Sequence, residues 1–280
     1  MKVVIHGARG STPAAGREFA RVGGNTSCVS LAPTGSNVPT LLLDAGTGVR
    51  NATTALGDAP FRGDILLTHL HWDHVQGIPF FQAADREDAQ VRLRLPAQDD
   101  ASAGSPGSAE ALLAEAMSPP HFPIGPDGLR GDWSFEALEP GTFACGGFMV
   151  TALDIPHKGG RTFGFRIEAD AATIAYLPDH DAEFDNPAAL ELCDDVDVLL
   201  HGGMFGEDER PTARAFGHGT VADAWRLARN AGARSLVVLH HAPNRTDDEV
   251  EELIGRYRGC RPAPVVGCEG DVVLDSGAPT

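Results

Sequence analysis

The chain alternates between short apolar runs and polar stretches rich in Gly, Pro and Asn, a pattern typical of strands joined by turns. The runs enriched in Val, Leu and Ile fall in two groups: residues 2–7, 27–32, 40–46, 64–69 and 91–96, and then 148–156, 162–169, 173–179, 196–203 and 235–241. Two groups of strands predict two sheets that pack face to face.

Longer amphipathic stretches predict helices over residues 108–117, 186–195, 220–232 and 246–259. Thr220 and Thr246 stand where N-caps are expected, and Gly232 stands where a C-cap is expected. Because these helices come late in each half, we expect them outside the sheets. The sequence therefore predicts the α/β (α+β) class, as a four-layer αββα sandwich.

One segment interrupts this pattern. Residues 97–135 are dense in Gly, Pro and Ser around one short predicted helix, which indicates a surface excursion. We expect a single domain over residues 1–280, with an insertion or lid at about 97–135.

Composition limits the location and the partners. The chain has 22 Lys and Arg against 39 Asp and Glu, a net charge of −17, which disfavours a stable nucleic-acid complex. No apolar run approaches the ~20 residues that span a bilayer, and the first residues do not resemble an export signal. The five cysteines are scattered, without a CxxC pair, as in reduced thiols. We expect a cytoplasmic protein without a membrane partner.

The stretch THLHWDH, residues 68–74, concentrates potential metal ligands. A strand that continues into this motif would place His69 and His71 on one side, and a turn at Trp72 would bring Asp73 and His74 to the same space. Four donors crowd one catalytic ion, which ordinarily takes three protein ligands, so the motif favours two adjacent ions.

Further donors follow predicted strands elsewhere. His157 follows the strand at 148–156, Asp179 ends the strand at 173–179, and His240 or His241 ends the strand at 235–241. The Asp179 carboxylate can bridge two divalent ions, which an imidazole cannot do. These residues complete a two-ion site.

With these residues in order, the sequence resembles a metallo-β-lactamase-fold hydrolase, whose HxHxDH signature stands here as residues 69–74. The flanking segments, residues 7–31, 41–51, 65–81, 155–167, 174–181, 216–220 and 236–250, resemble the branch of phosphoribosyl 1,2-cyclic phosphodiesterases and tRNase Z. The resemblance implies a first metal site at His69, His71 and His157, a second at Asp73, His74 and His240, and a bridging Asp179.

The same resemblance suggests roles around the metals. It implies that His218 is a general acid or a phosphate contact, that Asp73 also orients the nucleophile, and that Asp44 supports the ligand loop. Asn25 and Thr26, in GGNTSC, stand where they could hydrogen-bond the substrate or a ligand histidine. His241 is then a supporting or loop residue.

The chemistry implied is hydrolysis of a phosphodiester by a hydroxide that bridges two divalent ions, Zn or Mn. Because the chain is acidic and shows no long, basic, glycine-rich arm of the kind that tRNase Z has, we expect a small, possibly cyclic, phosphodiester substrate. Gly202 departs from related cyclic phosphodiesterases, which often have an Asp at this position. We expect no stable nucleic-acid complex, and a homodimer is allowed. The alternative is a thioester or lactam hydrolase that resembles glyoxalase II or a β-lactamase, and an RNA-processing nuclease is disfavoured.

Overall fold

The structure, a computed structural model, describes residues 1–98, 108–169, 172–182 and 186–277. Within them, two mixed seven-stranded sheets carry helices, as the sequence predicts.

The first sheet has the strand order β14-β1-β2-β3-β4-β5-β6. Its strands are β1 (Lys2–Gly7), β2 (Cys28–Ala32), β3 (Leu41–Leu43), β4 (Arg62–Leu66), β5 (Gln90–Pro96), β6 (Asp132–Leu138) and β14 (Val272–Asp275).

The second sheet has the order β13-β12-β11-β10-β9-β8-β7. Its strands are β7 (Gly141–Cys145), β8 (Phe148–Asp154), β9 (Phe163–Ala169), β10 (Ala172–Leu177), β11 (Val198–Gly202), β12 (Ser235–Leu239) and β13 (Pro264–Val266).

The described helices are α1 (Val49–Leu56), α2 (Trp72–Val75), α3 (Ala109–Ala116), α4 (Pro187–Cys193), α5 (Arg210–Phe216), α6 (Val221–Asn230) and α7 (Asp247–Gly255). The side chains of Thr220 and Thr246 cap α6 and α7 as predicted, each accepting a hydrogen bond from the third helical N–H. None of the helices in the described ranges is both long and apolar enough to cross a membrane.

Both faces of the first sheet are buried. Leu41 and Leu43 of β3 pack into the core shared with the second sheet, whereas Leu42 between them packs into a second core with helices α1 and α3. Successive side chains of a strand point to opposite faces, so this alternation shows that the sheet lies between two apolar layers.

The sheet topology brings distant segments together. Strands β3 to β6 are parallel neighbours in one sheet, and β10 to β13 are parallel neighbours in the other. Parallel strands end at the same edge of a sheet, and polar groups that follow those ends meet there. The segments after β3 and β4 therefore lie at one edge of the first sheet, and those after β10 and β12 lie at one edge of the second. Contacts of His74 with Asp179 and of Asp73 with His240 show that the two edges meet.

Two sequence-based expectations need correction. The strand expected to reach His69 ends at Leu66, and Asp73 and His74 lie on the one-turn helix α2 rather than in a loop. The expected insertion is also too long, because its last residues belong to β6, which pairs with β5 along its full length. Strand β6 lies at the edge of the sheet, where only alternate residues are covered, so it has no continuous apolar run.

The expectation of a single domain over residues 1–280 stays a prediction, and so does a homodimer. Residues 99–107 of the expected insertion lie outside the described residues.

Candidate metal centre

Histidines and carboxylates from five segments of the chain form one cluster. Four sets of three side chains each place one potential ligand atom within 4.8 Å of the others: His69, His71 and His157; Asp73, His74 and His240; His69, His74 and Asp179; and His157, Asp179 and His218. The first two sets are the two sites expected from the sequence, and the other two overlap them. All seven expected ligands are thus brought together.

Local structure explains how the motif at residues 69–74 folds back on itself. The chain leaves β4, and His71 is the extended residue that precedes α2. The single turn of α2 then directs Asp73 and His74 back toward His69. The ring centroid of His69 lies 4.3 Å from that of His71 and 4.2 Å from that of His74. A helical turn therefore achieves what we expected from an extended strand.

The Asp179 carboxylate lies between the two expected sites. Its Oδ2 is 2.8 Å from His74 Nε2 and 3.2 Å from His240 Nε2, and its Oδ1 is 3.9 Å from His157 Nε2. One carboxylate thus faces histidines of both sites, which is the position required of a bridging ligand.

A buried network behind the cluster orients its histidines. Asp44 Oδ2 is 2.7 Å from His74 Nδ1 and accepts a hydrogen bond from the Tyr176 hydroxyl at 2.9 Å. Asp44 Oδ1 accepts from the Thr68 backbone N–H at 2.7 Å. A carboxylate only accepts, so His74 Nδ1 carries a proton, and Nε2 is the atom that would bind a metal ion in the cluster.

The electrostatics of the cluster favour a cation. Burial alone would lower the pKa of His74, but the carboxylates of Asp73, Asp44 and Asp179 outweigh it and raise that pKa well above its usual value. Burial would raise the pKa of Asp179, but His240 and His74 hold it well below the usual range. Asp179 therefore stays ionised and contributes negative charge to a buried site that can attract a cation.

Unsatisfied polar atoms provide a test of whether metal ions fit. His69 Nε2, His74 Nε2 and Asp179 Oδ2 are buried without a hydrogen bond, although His74 Nε2 and Asp179 Oδ2 are close in space. Buried polar atoms are ordinarily paired, and neutral imidazole and carboxylate are ligands of divalent metals. The donor set fits such ions.

The cluster opens onto a cavity of about 690 Å³. His218 lines this cavity, and its Nδ1 is 3.2 Å from Asp179 Oδ1. His157 is held beside it, because its Nδ1 donates to the Gly217 carbonyl at 2.7 Å. The expected acid or phosphate contact therefore lies between the candidate ligands and solvent.

His240 and His241, which directly follow β12, have different environments. His240 Nε2 is 3.0 Å from Asp73 Oδ2, and the backbone of His240 has a φ of 54°, rare for a non-glycine residue. His241 Nε2 instead pairs with the Gly267 carbonyl at 3.2 Å. The structure thus brings His240, and not His241, to the cluster.

Asn25 and Thr26 have partners outside the metal ligands. Asn25 donates its side-chain amide to Glu269, and the Thr26 hydroxyl accepts from the Thr47 N–H. Neither pairs with a ligand histidine in the described residues, and a contact of either side chain with the substrate stays a prediction.

Three supporting contacts were missed from the sequence. The Tyr176 hydroxyl and Thr68 bind Asp44, and the Ser11 N–H donates to Asp73 Oδ2 at 2.7 Å. Tyr176 lies on β10 just before Asp179, and Thr68 directly precedes His69. Their position next to predicted ligands is the sequence signal that could have identified them.

Known proteins share this architecture over nearly the full chain. A ribonuclease Z from Haloarcula marismortui is 25% identical over 98% of this chain and 94% of its own length. The structure is similar to human tRNase Z, short form, with a TM-score of 0.68 and 19% identity over 98% of this chain and 99% of that one. It is also similar to Zn²⁺-bound PqqB from Methylobacterium extorquens, with a TM-score of 0.69 and 20% identity over 98% of this chain and 100% of that one.

These relatives correct one expectation. We expected a small-molecule substrate and no nucleic-acid complex, and the names ribonuclease Z and tRNase Z show that this expectation is wrong for proteins of this kind. The error came from net charge, which counts Lys and Arg but does not include metal ions bound at a site.

The family comparison agrees with the fold and the cluster. Residues 40–241 match the model of the β-lactamase superfamily domain, a stretch that contains all seven expected ligands. The predicted resemblance, the predicted fold and the assignment to metal-dependent hydrolases are confirmed, and divalent metal ions are implied by this fold. The chain belongs to the β-lactamase superfamily.

Proposed function

We propose that this protein is a dinuclear metal-dependent phosphodiesterase that hydrolyses phosphodiester bonds of RNA. The observation that carries the proposal is the position of Asp179, which faces histidines of two three-donor sets at once. The ribonuclease names of the relatives support RNA as the substrate.

Two divalent ions, Zn or Mn, would be held by two sets of side chains. His69, His71 and His157 would hold one, Asp73, His74 and His240 would hold the other, and Asp179 would contact both. When bound, the ions would lower the pKa of water and neutralise charge on phosphoryl oxygens.

The protein side chains have separate tasks in hydrolysis. A water oxygen bonds to phosphorus while the bond from phosphorus to the leaving oxygen breaks, and that oxygen needs a proton. His218 lines the cavity beside Asp179 and would donate this proton. Asp73, held by the Ser11 N–H, would orient the attacking water.

Charge at the site differs from the net charge of the chain. Asp73 and Asp179 contribute two negative charges to the cluster, and two divalent ions would contribute four positive ones. Lys158, exposed at the same cavity and fixed by a 2.8 Å hydrogen bond to the Ala215 carbonyl, adds another. An acidic protein can therefore attract a phosphodiester at this point.

The test is a comparison of substrates by metal-loaded protein. We expect cleavage of an RNA, and none of a chromogenic lactam or a thioester. His218→Ala should keep its metals and slow cleavage by about 10²- to 10⁴-fold, the usual contribution of a general acid. Turnover of the carbonyl substrates alone would refute the proposal.

A matched pair of variants tests the ligand assignment. His240→Ala should lose one ion per chain, whereas His241→Ala, at the adjacent buried histidine, should keep both. Metal content is measured on the folded, monodisperse fraction of each variant. If both variants keep two ions, or both lose one, the assignment of His240 is wrong.

A further inference from the structure

Two large aromatic side chains stand exposed at the mouth of the metal-centre cavity. Trp72 is 74% exposed and Phe216 is 60% exposed, and both line the cavity that contains His71 and His218. A single exposed apolar side chain is common, but several that line one cavity indicate a binding surface.

The aromatic surface continues away from the metals. Trp72 also lines an adjoining cavity of about 550 Å³, together with Phe80 and Phe122. These two rings form an edge-to-face pair with centroids 5.9 Å apart, and Phe80 is 55% exposed. Trp72 is thus common to both cavities, so the apolar wall runs from the cluster past α2.

The second cavity is lined partly by the segment that the sequence predicts to be an insertion or lid at about residues 97–135. Helix α3 contributes Leu113, and the residues after it contribute Met117 and Phe122. The described part of the segment expected as an insertion or lid therefore forms one wall of this aromatic surface.

We infer that Trp72 and Phe216 stack on unpaired nucleobases of the RNA on either side of the bond that is cleaved. The inference rests on the proposed function and names the form of the substrate, a single strand at the site of cleavage. Every base offers a π-face, so stacking tolerates any sequence. A base beyond Trp72 would enter the cavity at Phe80 and Phe122.

Charge favours this mode of binding over phosphate contacts. With 22 Lys and Arg against 39 Asp and Glu, the chain has few cations to spare for a phosphate backbone. Stacking on an uncharged base does not release counterions, so the loss of kcat/KM that Trp72→Ala causes should be about the same at low and at high salt.

The test is a double-mutant cycle between protein and RNA. Removal of the base next to the scissile bond, as an abasic nucleotide, and Trp72→Ala should each lower kcat/KM by about 5- to 150-fold, the range for one stacked base. Combined, they should lose no more than either alone, because both remove the same contact. Phe216→Ala should behave in the same way toward the base on the other side.

Controls separate stacking from damage to the metal centre. Trp72→Tyr should restore most of the kcat/KM, metal content should stay at the wild-type value in each variant, and Met149→Ala, at an exposed apolar residue on β8, should cleave RNA normally. If the two losses multiply, or if Trp72→Ala and Phe216→Ala cleave normally, stacking is refuted and the proposed function stands. If the wild-type protein cleaves no RNA, the proposed function fails, and this inference fails with it.

Discussion

Asp44→Asn should disable one metal site without unfolding the protein. The amide keeps the shape of the carboxylate, and Asn tolerates the positive φ of 59° at this position. One oxygen can still accept from the Thr68 N–H, but the other is replaced by an NH₂ donor that faces His74 Nδ1 and the Tyr176 hydroxyl. Two donors then face each other.

His74 can relieve this conflict by moving its proton to Nε2. That tautomer would present an N–H to Asp73 and Asp179, 3.3 and 2.8 Å away, instead of a lone pair. A histidine in this form is not a ligand. Loss of a group that orients a metal-bound histidine lowers metal affinity by about 10- to 100-fold, which corresponds to about 1.4 to 2.7 kcal/mol.

The assay is competition between the protein and a chromogenic chelator for Zn²⁺, with Tyr176→Phe as the matched control. Tyr176→Phe removes one donor to Asp44 and leaves the proton on His74 Nδ1. Its affinity should fall by less than that of Asp44→Asn. If Asp44→Asn binds both ions with wild-type affinity while circular dichroism shows it folded, the tautomer argument is wrong.

Three further predictions concern stability and the site. Arg9 is fully buried and donates to Asp247 at 2.6 Å and to backbone carbonyls, so Arg9→Met should lower the free energy of unfolding by about 3 to 5 kcal/mol in urea denaturation; an effect below about 1 kcal/mol would contradict this. Gly10→Ala places a Cβ 2.2 Å from His240 Nδ1, so it should reduce metal content, whereas Gly259→Ala, with nothing within 4 Å, should not; equal metal content in the two variants would contradict the packing argument. Metal ions at 100 times their Kd should add about 2.7 kcal/mol to stability for each occupied site, seen as a higher Tm by calorimetry, and an unchanged Tm would mean that they do not bind the folded cluster.

Much of the fold could be predicted from the sequence because most strands are buried. Residues 41–43 and 235–239 read as continuous Leu and Val runs, since both faces of their strands are covered. Strand β6 could not be predicted in this way, because an edge strand alternates between covered and exposed residues. The one-turn helix α2 is too short to show any periodicity.

The metal ligands of the candidate site could be predicted because their residue types are visible in the sequence. The motif at residues 69–74 and the residues at strand ends indicated the donors, and the fold brings them together. The contact from Tyr176 to Asp44 joins residues 132 positions apart, so no local pattern reports it. Trp72 was visible in the motif, but its exposure depends on the turn that the chain makes there.

The most direct test of the proposed function is a titration of metal into metal-free protein, followed by measurement of RNA cleavage. We predict that the metal-free protein is inactive and that the cleavage rate rises until two ions are bound per chain. RNA cleavage by the metal-free protein at the full rate, or no cleavage at any ratio of Zn²⁺ or Mn²⁺ to protein, would contradict a dinuclear metal-dependent phosphodiesterase.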